Sequence, residues 1–383
     1  MMGVVSTPSL LVRAQEAQPR MLADLATLVA AESPSTDLAA LDRCAQVVTD
    51  IAAHWLPRRP QLLTVDGRPH LLWDDPDAKV LLLGHFDTVW PLGTLTGWPF
   101  TIQDGIARGP GVFDMKAGLT LAFAAASLLD GLDGVSILLT SDEEIGSDTS
   151  RGLIEAHAVR AGAVLVCEPS ADGGAVKIGR KGIAEYILTA HGRAAHAGLE
   201  PHRGINATIE IAHQILAVAA LARPDAGTTV TPTVLAGGTT TNTVPETASV
   251  RLDVRAWTLA EIDRVDRALA TAKPRLPGAV VAVDGRVNRA PFEPTAATGL
   301  YQLARQAARD AGLPEPDGVR SGGASDGNLT AGLGIPTLDG LGAIGGHPHG
   351  RDEHIQIDTL PERAALLAGL ITLIRNRDNG REA

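Results

Sequence analysis

The run at residues 80–91, VLLLGHFDTVWP, constrains the fold more than any other stretch. Four apolar residues leading into Gly84 predict a strand buried on both faces, as in an open parallel α/β sheet, ending at the carboxyl edge where such sheets keep their sites. His85 and Asp87 stand just past that edge. In extended chain, residues i and i+2 point to the same side, so the imidazole lies within reach of the carboxylate. A carboxylate beside an imidazole fixes its tautomer and strengthens it as a metal ligand. A histidine capping a strand and an aspartate opening a turn would look the same, so other segments must decide.

Three further segments repeat the pattern. Residues 135–140, VSILLT, predict a second strand running into Ser141, Asp142, Glu143 and Glu144. Adjacent acids at a strand end repel one another unless a cation or solvent relieves them. Residues 163–167 predict a third strand, which delivers Glu168. Between the first two, the glycine-rich turn GPGVFDMKAG places Asp114 just before a helix whose apolar face is Leu119, Ala122, Phe123, Ala126 and Leu129. N-capping and the helix dipole alone would favour an acid there. Together, however, His85, Asp114, Glu144, Glu168 and a histidine from GGHPHGRDEH, residues 345–354, make five nitrogen or oxygen ligands at one sheet edge. Such a set without thiolate suits zinc, and also cobalt or manganese. A single open catalytic zinc typically takes three protein ligands, whereas five with one bridging carboxylate serve two metals.

At 383 residues the chain exceeds one ordinary core. Helices are predicted over residues 16–31 and 38–54, then strands over 62–65 and 70–73. From residue 182 the order becomes strand 182–192, helix 204–221, strands 228–237 and 247–255, helix 258–272 and strand 279–286. That β-α-β-β-α-β order predicts a ferredoxin-like unit over residues 183–290, inserted into a first domain made of 1–182 and 291–383. The first domain resumes with a helix over 295–311, a strand over 335–340 and an amphipathic helix over 359–375.

A formal charge of −11 argues against nucleic acid or an anionic membrane surface as partner. Cys44 and Cys167 are the only cysteines, which excludes a disulfide framework and a four-cysteine zinc site. No stretch approaches the roughly 20 apolar residues that span a bilayer. Residues 1–20 show no charged region followed by a long apolar one, so a cytoplasmic location is expected.

Seven runs in order, GHFDTVWP, GPGVFDMKAG, SDEEIGS, CEPS, GRAAHAG, TNTVPE and HGRDEH, resemble those of the glutamate carboxypeptidase and aminoacylase family of di-zinc metallopeptidases. The resemblance implies a zinc-peptidase-like mixed sheet with flanking helices, plus an inserted ferredoxin-like lid and dimerisation domain. It implies two zinc ions, with Co2+ or Mn2+ as substitutes. His85 and Glu168 would bind one ion, Glu144 and His349 the other, and Asp114 both. His347 is the alternative to His349. Asp87 would stand behind His85, and Glu143 would be the general base. The peptide between Asp114 and Met115 is expected to be cis.

In the inserted domain, His196 would polarise the scissile carbonyl across a homodimer interface. Asn242 would approach the same oxygen or the substrate, and Arg255 would pair with the substrate carboxylate. Lys177 and Arg180 add positive charge near Glu168, either for an anionic substrate or as a solvated pair. The activity implied is hydrolysis of an amide next to a free α-carboxylate, by a carboxypeptidase releasing C-terminal glutamate or a similar residue. A deacylase of N-acyl amino acids, of the aminoacylase or acetylornithine-deacetylase kind, is the alternative. A non-catalytic metal-binding homologue would lack Glu143 or a ligand, and none is missing.

Overall fold

The computed structural model describes residues 9–377, so part of the N-terminal stretch 1–20 lies outside the described residues. The chain divides into two compact units. One comprises the chain up to Gly179 with Pro294–Ser321 and the chain from Ser325 onward; the other comprises Arg180–Glu293 with Gly322–Ala324.

A six-stranded mixed sheet organises the first unit, in the order Gln61–Val65, Arg68–Trp73, Val135–Thr140, Val80–His85, Val164–Val166, Thr337–Leu338. The last four are mutually parallel, and the first two are antiparallel additions at one edge. Every residue of Val80–His85 is buried, as its unbroken apolar run requires. Register then fixes where the strands stop. His85 lies opposite Thr140, whereas Val166 lies opposite Leu83, so the third strand stops two residues short and Glu168, two residues beyond Val166, is the position that counts level with His85.

Helices cover both faces. Leu81, Leu83, Leu138 and Val166 pack with Ile154 and Ala158 of the Arg151–Ala161 helix. The Ala117–Ser127 helix is buried on every side from Ala117 to Ala126, where the sequence predicted one apolar face. A helix apolar all round belongs in an interior. A Cβ on Gly118 would lie 2.0 Å from the Cys167 carbonyl oxygen, so glycine there lets this helix lie against the strand end that carries Glu168. The Leu360–Asn376 helix buries Arg363, whose guanidinium donates to the carbonyls of Gly340, Gly342 and Gly174 at 2.6, 2.8 and 2.9 Å.

The first helix runs Leu10–Ala30, starting earlier than its periodicity predicted because Ser9 caps it and Pro19 is accommodated inside. A small sheet of Thr101–Gln103, Ile106–Arg108, Gly345–Gly346 and His354–Gln356 was not anticipated. Strands of two or three residues are too short to show a period.

The second unit has a four-stranded antiparallel sheet in the order Thr229–Gly237, Thr247–Ala256, Gly182–His191, Val280–Arg289. Numbered along the chain, that is 2-3-1-4, with helices Ala207–Ala219 and Leu259–Ala270 as the connections. Ile211, Val218, Ile262, Val265 and Leu269 pack with Ala184, Leu188, Val250 and Val254 of the sheet. Asn206 and Thr258 cap these helices. The outer strand Thr229–Gly237 leaves Val234 and Leu235 exposed.

Candidate metal centre

Three strand ends, the turn at Asp114 and the loop at His349 bring five predicted ligands into two groups that share one member. His85, Asp114 and Glu168 form one, and Asp114, Glu144 and His349 the other, with donor atoms within 4.8 Å of each other in each group. His85 Nε2 stands 3.4 Å from Asp114 Oδ1 and 3.4 Å from Glu168 Oε1. His349 Nε2 stands 3.4 Å from Asp114 Oδ2 and 3.2 Å from Glu144 Oε2. The two oxygens of Asp114 thus face the two histidines separately. The Asp114–Met115 peptide is cis.

Asp87 is fully buried and holds both sides of this arrangement. His85 Nδ1 is 3.0 Å from its carbonyl oxygen and 3.3 Å from its Oδ1, which leaves Nε2 aimed at Asp114 and Glu168. The same carboxylate accepts the Ser35 hydroxyl at 2.7 Å and the N–H groups of Glu143 and Glu144, each at 3.3 Å. Asp142, read from sequence as one of three repelling acids, turns inward instead. Its Oδ2 accepts the N–H and hydroxyl of Thr149, each at 2.7 Å, and the N–H of Ser150 at 3.3 Å.

Charge in the centre is one-sided. Burial would lower the His85 imidazole, yet Asp114, Asp87 and Glu168 raise it well above its ordinary value. Asp114 and Glu144 push His349 up to about 10. Burial opposes ionisation of Asp114, but the imidazoles of His349 and His85 outweigh it and hold that carboxyl low. Burial raises Glu144, against the pull of His349. Among the described residues, His85 Nε2 and Asp114 Oδ1 are buried without a hydrogen-bond partner. Unmet buried atoms on a nitrogen donor and an oxygen donor, beside surplus carboxylate, fit divalent cations of the borderline kind. Cys167 supplies no ligand: burial pushes its thiol up to about 12.

His347 lies outside both groups. It pairs with Asp352 at 3.2 Å and stands beside the His354 ring, whereas His349, four residues before Glu353, faces Asp114 and Glu144. Glu143 is buried on the Glu143–Ile145 turn beside Glu144. Lys177 and Arg180 are both buried, so they are not a solvated pair; Arg180 Nη1 donates to the Gly323 carbonyl at 3.1 Å.

In the second unit, His196 is exposed and its Nδ1 accepts the N–H groups of Gly198 and Leu199, each at 3.1 Å. Its Nε2 therefore carries the proton of the neutral ring. Asn242 stands next to it in the backbone, its carbonyl accepting the Ala197 N–H at 2.8 Å. Arg255 is held by Asp253 through Nε at 3.0 Å and Nη2 at 3.2 Å, while Nη1 reaches the Gly322 carbonyl at 3.5 Å. Sequence reasoning missed Ser35 and Thr149, and gave Glu353 no role. Their partners are backbone groups or lie far along the chain.

Residues 81–373 match the peptidase family M20/M25/M40. Carboxypeptidase G2 of Pseudomonas sp. (strain RS-16) is 31% identical over 308 residues, 76% of this chain and 73% of that protein. A succinyl-diaminopimelate desuccinylase of Caulobacter vibrioides is 28% identical over 75% of this chain and 79% of that protein. The aminopeptidase PepT from Bacillus cereus ATCC 10987 has the same fold, with a TM-score of 0.74, 24% identity and coverage of 94% of this chain and 99% of that one. The match over residues 81–373 and the likeness to carboxypeptidase G2 place the chain in peptidase family M20/M25/M40, whose members are metal-dependent hydrolases.

Proposed function

We propose that this chain hydrolyses an amide bond next to a free α-carboxylate, with two divalent ions held by His85, Asp114 and Glu168 and by Asp114, Glu144 and His349. The observation that carries the reading is the membership of Asp114 in both groups. Zinc is the metal these donors suit best, with cobalt or manganese able to replace it. Ions held by these residues would supply Lewis acidity and would make a water more acidic, from a pKa of 15.7 toward about 7.

The remaining steps belong to the chain. Glu143, kept beside Glu144 by the Asp87 carboxylate, takes the proton of the attacking water and hands it to the leaving nitrogen. Such a role contributes about 100 to 10,000-fold. His196, with Nδ1 already engaged, donates from Nε2 to the developing oxyanion, and Asn242 approaches the same oxygen. Arg255 aligns the substrate carboxylate through the terminal N–H groups that Asp253 leaves available.

The substrate class is argued from the relatives: carboxypeptidase G2, 31% identical, favours release of C-terminal glutamate or a similar residue. The desuccinylase relative favours a second reading, removal of an acyl group from an N-acyl amino acid. His196 acts in the partner's site of a homodimer formed through the second unit, whose outer strand exposes Val234 and Leu235.

Two measurements test this. Chelation is expected to abolish turnover and zinc re-addition to restore it. Glu143→Ala is expected to keep two metal equivalents while turnover falls about 100-fold or more. Near-normal turnover by that variant removes Glu143 as the base. Assay of N-acyl amino acids against peptides ending in glutamate separates the two substrate readings.

A further inference from the structure

Glu353 is fully buried four residues beyond His349, and no step of the proposed reaction uses it. Its Oε1 accepts the N–H groups of Phe113 and Asp114 at 2.8 and 3.0 Å. Its Oε2 accepts the Gly111 N–H and the Trp90 indole N–H, each at 3.0 Å. Four donors thus converge on one carboxylate, and three of them are backbone groups of the irregular turn that presents Asp114. That turn has no helix or strand partner for those N–H groups, and burying them unmet would be costly. Gly111 adopts φ +71°, and a Cβ there would meet Thr88 Cγ2 at 2.6 Å, so the turn has little room to choose another path. On its other side, the buried Lys116 Nζ donates to the carbonyls of Leu28 and Ala31, each at 2.8 Å.

An amide would not substitute for this carboxylate. Glutamine presents two N–H donors where Glu353 meets only donors. The arrangement calls for an acceptor-only side chain, and the chain places it on the same loop as His349. His349 is the one ligand with a half-exposed side chain, at 50%, and it sits at φ +61°.

We propose that Glu353 is a positioning residue for the metal pair. It holds the Asp114 backbone so that one carboxylate oxygen faces His85 and the other His349, and it anchors the loop that carries His349 to the turn that carries Asp114. The inference rests on the two-metal reading of Asp114. It concerns the group that builds the shared ligand's geometry, which that reading does not name.

The test titrates metal-free protein with Co2+, following visible absorption and calorimetry, for the parent and Glu353→Gln. The parent is expected to take two equivalents. The variant is expected to keep its circular dichroism and to bind the second equivalent 10 to 100-fold more weakly, with kcat falling and KM little changed. Two equivalents bound with parental affinity and spectrum overturn the proposal. A parent that takes only one equivalent overturns the two-metal reading itself, whatever the variant does. Should Glu353→Gln fail to fold, Glu353→Asp keeps the charge but draws it back by one methylene. It is expected to weaken the second equivalent in the same direction, and parental uptake by it is equally fatal.

Discussion

At the scale of single residues, the two candidate ligand groups rest on side chains that belong to neither of them. Asp87 sets the His85 tautomer and accepts two N–H groups of the acidic turn, so its removal loosens both ligand groups at once. Asp87→Ala is expected to lower metal affinity 10 to 100-fold, with a matching loss of turnover at limiting metal. Equilibrium dialysis against a graded zinc buffer checks it, and unchanged affinity removes Asp87 from this role. His85 and Asp87 were legible in the sequence because an apolar run ends on them and extended backbone makes i and i+2 neighbours. Glu353 was not. Its partners are three main-chain N–H groups, which have no residue type, and one indole 263 positions away. Asp142 misled for a related reason: written beside Glu143 and Glu144 it looks like a third surface charge, and only the fold brings Thr149 and Ser150 to its Oδ2.

At the scale of elements, periodicity and capping worked where segments were long. The second unit's strands and helices lie within a few residues of where alternation and turn residues put them. Its least obvious stabiliser is Glu210, buried on the Ala207–Ala219 helix, whose carboxylate accepts Gln214 Nε2 at 2.7 Å and the N–H groups of Arg275 and Leu276 at 2.9 and 2.7 Å. Burial opposes its ionisation, but these donors prevail and hold its carboxyl below the ordinary 4.5. A carboxyl depressed in the folded state stabilises fully above its unfolded value and loses that contribution as pH falls through the depressed one. Glu210→Gln is therefore expected to lower the urea midpoint at pH 7, with the difference from the parent shrinking as pH drops below about 4. A difference that stays constant from pH 7 to 3 would assign the effect to packing instead. The short strands at Gly345–Gly346 and His354–Gln356 escaped prediction, and with them the fact that the His349 loop is flanked by sheet on both sides.

At the scale of the whole molecule, the prediction concerns subunits. If His196 serves a neighbouring copy, a Glu143 variant and a His196 variant, each inactive alone, are expected to regain activity when mixed and allowed to exchange. Random exchange leaves about half of the dimers mixed, each with one intact site, so recovery near a quarter of parental activity is the expected ceiling. No recovery after demonstrated exchange refutes the shared site. Among the described residues, no helix is long and apolar enough to cross a membrane. The two units bury their apolar faces differently, one with a run of fully buried strand residues and the other with strands that alternate buried and partly exposed residues.

The register of these three strands constrains anyone altering this chain. With His85 opposite Thr140 and Leu83 opposite Val166, the positions of His85, Glu144 and Glu168 are all counted from one register. Adding or deleting a single residue within any of those three strands turns its terminal side chain to the opposite face of the sheet. Insertions in the connections are tolerated far better than changes of strand length, so diversification of this scaffold is confined to its loops, in whole segments, with the spacing of the strands left untouched.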